Sequence, residues 1–99
     1  MQNDPLFQPF QLKHLTLKNR IMSTSHAPAY AEEALPKEQY QLYHEEKAKG
    51  GIGLTMFGGS STVDIDSPAS FGQLDVSHDR VIPYFAEMAH RVHNHGAAL

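Results

Sequence analysis

Cysteine is absent from these 99 residues. That excludes disulfides and thiolate metal sites within the span, and it fits a reducing compartment, with the cytoplasm as the default setting. No apolar run approaches the ~20 residues of a membrane span. The opening Met1-Gln2-Asn3-Asp4-Pro5-Leu6-Phe7 has neither a basic nor a long apolar region, so no secretory signal is visible. A basic cluster is missing too: the 8 lysines and arginines are scattered among 11 acidic residues, for a net charge of −3. Nucleic acid and anionic membrane surfaces are therefore poor partners. Repeats, low-complexity tracts and Ser/Gly linkers are also lacking. What is left is one domain with a modest core.

The periodic segments arrange themselves in order. Phe10-Gln11-Leu12-Lys13 and Leu15-Thr16-Leu17-Lys18 alternate apolar with polar around His14, which predicts a β-hairpin. Residues 19–25 turn apolar at Ile21-Met22 and then dissolve into Ser23-Thr24-Ser25, as a buried strand does on reaching a rim. A loop from His26 to Leu35 follows. Pro36 suits a first helical position, and residues 36–49 read as a helix with Tyr40, Leu42, Tyr43 and Ala48 on its apolar side. Glu38 in the first turn and Lys47 and Lys49 in the last suit the macrodipole. Gly50 is expected in the left-handed position that stops the helix.

Ile52-Gly53-Leu54-Thr55-Met56-Phe57 reads as a second strand. Its exit at Gly58-Gly59-Ser60-Ser61-Thr62 leads into a polar excursion through Asp64, Asp66, Pro68 and Gly72 to Asp79, the expected cap of a second helix. Val81, Phe85, Met88, Ala89 and Val92 form that helix's core stripe, with Pro83 tolerated in its first turn. Gly96 closes it, and Ala97-Ala98-Leu99 opens a third strand. Hairpin then β-α-β-α-β is an α/β pattern with parallel strands. A (β/α)₈ barrel takes about 250 residues, so the expectation is an incomplete, amino-terminal fragment of one.

In parallel α/β folds, ligands bind at the carboxyl ends of the strands. Two segments lie there. Ser23-Thr24-Ser25-His26 offers hydroxyls, backbone N–H groups and an imidazole, and Gly58-Gly59-Ser60-Ser61 offers close backbone approach to a flat or phosphorylated ligand. Such clusters are also ordinary turn chemistry. Gly50-Gly51-x-Gly53 precedes a strand instead of following one, which rules out a dinucleotide fingerprint. His90, His93 and His95 gather near the end of the second helix, where cationic or polar groups suit the dipole; a histidine metal module is the lesser alternative, and no metal site is assigned. Asp64, Asp66, Asp75 and Asp79 lack calcium-loop spacing. His14, His44 and His78 read as solvated or turn residues, and Glu45 and Glu46 as solvated.

Four segments in register carry a resemblance: Leu6-Phe7-Gln8-Pro9, the run Leu15-Thr16-Leu17-Lys18-Asn19-Arg20-Ile21, residues 43–54, and Val92-His93-Asn94-His95-Gly96. Together they resemble the amino-terminal part of the old yellow enzyme family of FMN-dependent oxidoreductases (NADH:flavin oxidoreductases). Ser25-His26 and Gly58-Gly59 are most similar to the branch with 2,4-dienoyl-CoA reductase and trimethylamine dehydrogenase. The resemblance implies a TIM barrel plugged at its bottom by the hairpin, FMN at its top, and residues 1–99 as the first part of a single FMN-binding domain. It implies Thr24, Ser25, His26, Gly58 and Gly59 as cofactor-binding residues and Tyr30 as a substrate-facing candidate. Ala27 stands where trimethylamine dehydrogenase has its flavin-linking cysteine, so FMN is expected to be non-covalent.

The implied reaction is hydride transfer between FMN and NAD(P)H or a small organic substrate such as an enoyl compound or an N-methylated amine. The resemblance tilts slightly towards the amine. Catalytic residues are not assigned, and an iron–sulfur cluster is expected only in sequence beyond Leu99. A homo-oligomer is left open for the full-length enzyme. The competing expectation is a non-catalytic truncated fragment that does not bind flavin alone.

Overall fold

The computed structural model describes residues 3–67 and 72–99. Pro68, placed by the sequence in the polar excursion, lies outside them. A 3-10 turn at Pro5–Phe7 leads into the hairpin, β1 (Phe10–Leu12) against β2 (Leu15–Leu17), antiparallel with Gln11 opposite Thr16. Lys13 makes the reversal in the left-handed region, at φ 53°. The expected hairpin and its turn are both present.

Strand β3 (Met22–Ser23) pairs in parallel with β4 (Leu54–Thr55), and Leu54 bridges in parallel to Ala98. The amide of Thr55 donates to the carbonyl of Ala98, and the amide of Ala98 to that of Gly53. The order first, second, third strand is therefore as the sequence indicates, although each ladder is shorter than its apolar run. The junction below the strands is tight. A Cβ on Gly53 would sit 2.5 Å from the Asn19 side-chain oxygen and 2.8 Å from its carbonyl, while the Asn19 amide donates to Gly51 O at 2.7 Å.

Helix α1 (Glu38–Lys49) begins two residues after Pro36, correcting the expected start. Pro36 is instead fully buried, and its carbonyl accepts from the Gln41 side chain. At the other end Gly50 stays right-handed at φ −71°, because its amide still bonds back to Glu46 O, and the reversal falls on Gly51 at φ 109°. The buried side of α1 is Tyr40, Gln41, His44 and Ala48; Leu42, expected on it, is 45% exposed. Spacing by four carries the stripe inward through a histidine.

Helix α2 (Ile82–His93) follows a 3-10 turn at Asp79–Val81. Asp79 does not cap with its carboxylate. Its carbonyl accepts the Ile82 amide instead, so the extra turn replaces the expected side-chain cap. Pro83 sits at the start of the helix, where its missing N–H is harmless. The predicted stripe holds: Val81, Met88 and Val92 are buried and Phe85 and Ala89 partly so.

One core cluster joins Tyr40, Leu74 and Met88, and a second joins Ala48, Val92 and Ala97. Leu74 shows that the excursion after β4 is not merely a polar loop. It runs back under α1, bonded through Thr62 N to Leu74 O and Asp75 N to Ala34 O.

The helices are also joined by charge. Glu45, expected to be solvated, has only 20% of its side chain exposed; it accepts from Arg91 at 3.2 Å and pairs with His95 at 3.0 Å. The His95 hydrogen bond, with Arg91 second, holds the Glu45 carboxyl below its usual value despite the opposing effect of burial. Its stabilisation is therefore full above the ordinary carboxylate range and is lost as pH falls through the lowered value. Glu45→Ala is expected to cost about 1–2 kcal/mol at pH 7 by thermal unfolding, since two charge-assisted bonds vanish and a half-buried arginine loses a partner. A change within error would show the pair to be a surface decoration. Glu46 is exposed, as expected.

Candidate functional site

The ends of β3 and β4 bring the two predicted rim segments side by side. Ser25 Oγ donates to the carbonyl of Phe57 at 3.0 Å, a link between residues 32 apart in sequence. Gly59 lies still closer to the first segment. A Cβ there would fall 2.8 Å from both Ala27 N and the His26 carbonyl carbon. Gly58 and Gly59 both take positive φ, at 100° and 90°. Backbone conformation and loop-to-loop approach thus already call for glycine here, beside the ligand approach suggested by the sequence.

On its other side the same segment is held by α1. The amide of Gly58 donates to the Tyr40 hydroxyl at 2.9 Å, in a buried contact. Ser60 continues the unusual backbone at φ 65°, as does Ala29 in the first loop at φ 61°. Alanine and serine rarely hold such angles unless the surroundings over-determine them. For Ala29 the second loop supplies that constraint: Ala31 N bonds to Gly72 O, and a Cβ on Gly72 would strike Ala29.

Thr24, Ser25 and His26 are exposed at this edge, with Met56 and Phe57 beside them at 39% and 38% exposure. A concavity of about 440 Å³ is lined by Ser25, Met56, Phe57, Phe85, Ala89 and Leu99. Hydroxyls, exposed backbone and apolar atoms at the ends of neighbouring parallel strands fit one edge of a planar ring with hydrogen-bonding margins.

The His26 ring stacks on Tyr43 at 6.3 Å, and Tyr30 meets Tyr43 edge-on at 5.6 Å. Lys47 lies over the same Tyr43 ring at 4.4 Å and donates to Ser23 Oγ at 2.7 Å. Tyr30 and His26 are thereby gathered with α1, and Tyr30 is still 38% exposed.

His44 is the functional-looking residue that sequence reasoning placed wrongly. It is 1% exposed, its Nδ1 is 2.8 Å from Thr55 Oγ1, and its Nε2 is buried without a hydrogen-bond partner. Burial, with a smaller contribution from Lys47, pushes its pKa down to about 4. The one available signal was its place midway between Tyr40 and Ala48. Of the clustered histidines, His90 and His93 are exposed and His95 turns to Glu45. Among the described residues no three His, Asp or Glu side chains converge as metal ligands.

Residues 5–99 match the NADH:flavin oxidoreductase / NADH oxidase family. The chain belongs to that family. It is 60% identical over 97 residues to a multifunctional alkene reductase/demethylase from Caballeronia cordobensis, covering 98% of this chain and 14% of that protein. It is 50% identical over 99 residues to a probable N-methylproline demethylase from Rhizobium meliloti (strain 1021), covering all of this chain and 15% of that one. The chain therefore spans about a seventh of the length of these relatives.

Among solved structures, the old yellow enzyme from Trypanosoma cruzi superposes with a TM-score of 0.79 at 20% identity, over 98% of this chain and 26% of that one. Morphinone reductase in complex with tetrahydroNAD gives 0.81 at 20% identity, over 96% and 25%. These likenesses show the fold: the hairpin and the β-α-β-α-β run correspond to part of a (β/α)₈ barrel, as the sequence implies. No described helix of this family member is long and apolar enough to cross a membrane.

Proposed function

We propose that residues 1–99 form the amino-terminal part of a single FMN-binding (β/α)₈ domain, in an oxidoreductase that moves hydride between non-covalent FMN and NAD(P)H or a small organic substrate. The observation that carries the reading is the joined rim, with Ser25 bonded to Phe57 and Gly59 pressed on Ala27 at the ends of adjacent parallel strands. In this reading Thr24, Ser25, His26, Gly58 and Gly59 hold one edge of the flavin. Bound FMN would supply the hydride chemistry, and these residues position it and shield it from water.

Tyr30, with its ring half open beside Tyr43, is the candidate facing the substrate. Two relatives carry demethylase in their names, and one of them alkene reductase as well. Those names support N-methylated amines first and activated alkenes second as substrate classes, in the branch with 2,4-dienoyl-CoA reductase and trimethylamine dehydrogenase. An iron–sulfur cluster would need thiolates that residues 1–99 do not contain. A cytoplasmic setting accords with the absence of cysteine.

The test is the visible spectrum of the purified full-length protein, followed by acid precipitation. A flavin band that passes entirely into the supernatant, and bleaches on adding an N-methylated amino acid without oxygen, is the expected result. A colourless protein that takes up no FMN on reconstitution would defeat the proposal. Flavin retained in the precipitate would defeat the non-covalent assignment alone.

A further inference from the structure

We propose that Tyr40 is a positioning residue for the flavin rim, clamping the Phe57–Gly58 peptide from the helix side while Ser25 holds it from the rim. The inference deepens the flavin reading and rests on it.

The geometry is specific to one peptide plane. Its carbonyl accepts from Ser25 Oγ at 3.0 Å, and its N–H donates to Tyr40 Oη at 2.9 Å. A peptide plane bonded through both of its polar groups has lost its freedom to rotate about the flanking φ and ψ angles. That matters here because the next residues are the flexible ones: Gly58 and Gly59 have no Cβ to restrict them, and both sit at positive φ. Without the clamp the rim would sample several conformations, and a ligand would have to select one of them.

Tyr40 is well placed to impose such order. It is 0% exposed, packed with Leu74 and Met88, and its ring lies 5.4 Å from that of His44, one turn along α1. Burial pushes the phenol above its ordinary value, so the hydroxyl stays neutral at any ordinary pH, and its oxygen accepts the hydrogen bond from the Gly58 N–H. The side chain is thus anchored by the core, and its one polar atom is spent on the rim.

Tyr40→Phe in the full-length protein removes that atom and keeps the ring. The expected result is FMN bound roughly tenfold more weakly, the scale of one lost buried hydrogen bond, with the visible flavin bands and the reduction potential displaced. His44→Phe is the control: it disturbs the same helix–strand packing through Thr55 without touching Gly58, and should leave the flavin bands and potential as in the parent. Ser25→Ala releases the peptide from its exposed side and should move the bands in the same direction as Tyr40→Phe, even if the latter folds poorly. Parent-like affinity, bands and potential in Tyr40→Phe would overturn the proposal, and so would equal changes in His44→Phe.

Hydrogen exchange of the Gly58 amide separates this idea from the flavin reading. Exchange about tenfold faster in Tyr40→Phe than in the parent, with or without FMN, supports the clamp. Unchanged exchange overturns it, whereas a parent protein that binds no FMN defeats only the function on which the clamp was placed.

Discussion

On the proposed flavin reading, Gly59→Ala in the full-length protein is expected to abolish flavin retention, and it should destabilise the fold by about 3–5 kcal/mol, the sum of backbone strain and overpacking. Two independent costs meet at this position. An alanine at φ 90° lies outside the regions that L-residues hold comfortably, and its methyl carbon would fall 2.8 Å from two backbone atoms of the first rim segment. A flexible side chain in that place swings aside; the Ala27 amide and the His26 carbonyl carbon move only if the whole loop after β3 moves.

That loop is not free to retreat. Its backbone is tied through Ala31 to Gly72 and through Ala34 to Asp75, and it carries Ala29 and Ala34 at positive φ already. The new methyl therefore forces the two rims apart and breaks the Ser25–Phe57 bond. Gly51→Ala provides the comparison, since Gly51 has φ 109° but nothing within 4 Å of an added Cβ. It should cost only the strain, about 1–2 kcal/mol, and should leave flavin bound. Thermal unfolding of both variants, with flavin content measured after gel filtration, distinguishes the cases. If Gly59→Ala were as mild as Gly51→Ala and kept its flavin, the close approach of the two rims would not be what the glycine serves.

This pair also shows how far the sequence could be read. The two rim segments were legible because an apolar run dissolving into small polar residues is what a parallel strand leaves at its end. The stripe on α2 was legible because all its buried members are apolar. The glycine pair lies at the rim, and folding adds a reason for it that the sequence hides, since the atoms that forbid a side chain at Gly59 belong to His26 and Ala27, which only folding brings close. The inner side of α1 failed for a related cause. Gln41 and His44 are polar, and both are buried with partners elsewhere, the carbonyls of Pro36 and Tyr84 for Gln41 and Thr55 for Nδ1 of His44, whose Nε2 is left bare. Periodicity counts apolar residues and misses a polar one that has been paired. The second loop hid Leu74 in the same way, among polar neighbours.

His44 turns that misreading into a measurable quantity. Lowering the pH from 6.5 to 4 is expected to remove about 3 kcal/mol of stability through this residue alone. The unfolded chain takes up the histidine proton near the ordinary value of 6.5, whereas the folded protein resists it until about 4, chiefly because of burial and to a lesser degree because of Lys47. Between those values the unfolded state holds more protons, so acid favours unfolding. The contribution is whole above 6.5 and gone below 4. The groups in contact with the ring carry no opposite charge: Tyr40 and Tyr43 are uncharged rings, Thr55 has a neutral hydroxyl, Lys47 carries a like charge, and Nε2 has no hydrogen-bond partner. The carboxylates held below their usual values, Glu33, Glu45 and Asp75, lose their stabilisation only at lower pH. The window from 6.5 to 4.5 thus lies above the range in which those carboxylates lose theirs, and a His44 variant assigns the slope to this imidazole. Denaturant unfolding of the parent at half-unit pH steps should show a falling free energy there, and His44→Phe should flatten that slope even though it leaves Thr55 Oγ1 without its partner and lowers stability at neutral pH. A parent protein whose stability is level across the window would mean that the ring is hydrated or that the helix opens to admit the proton.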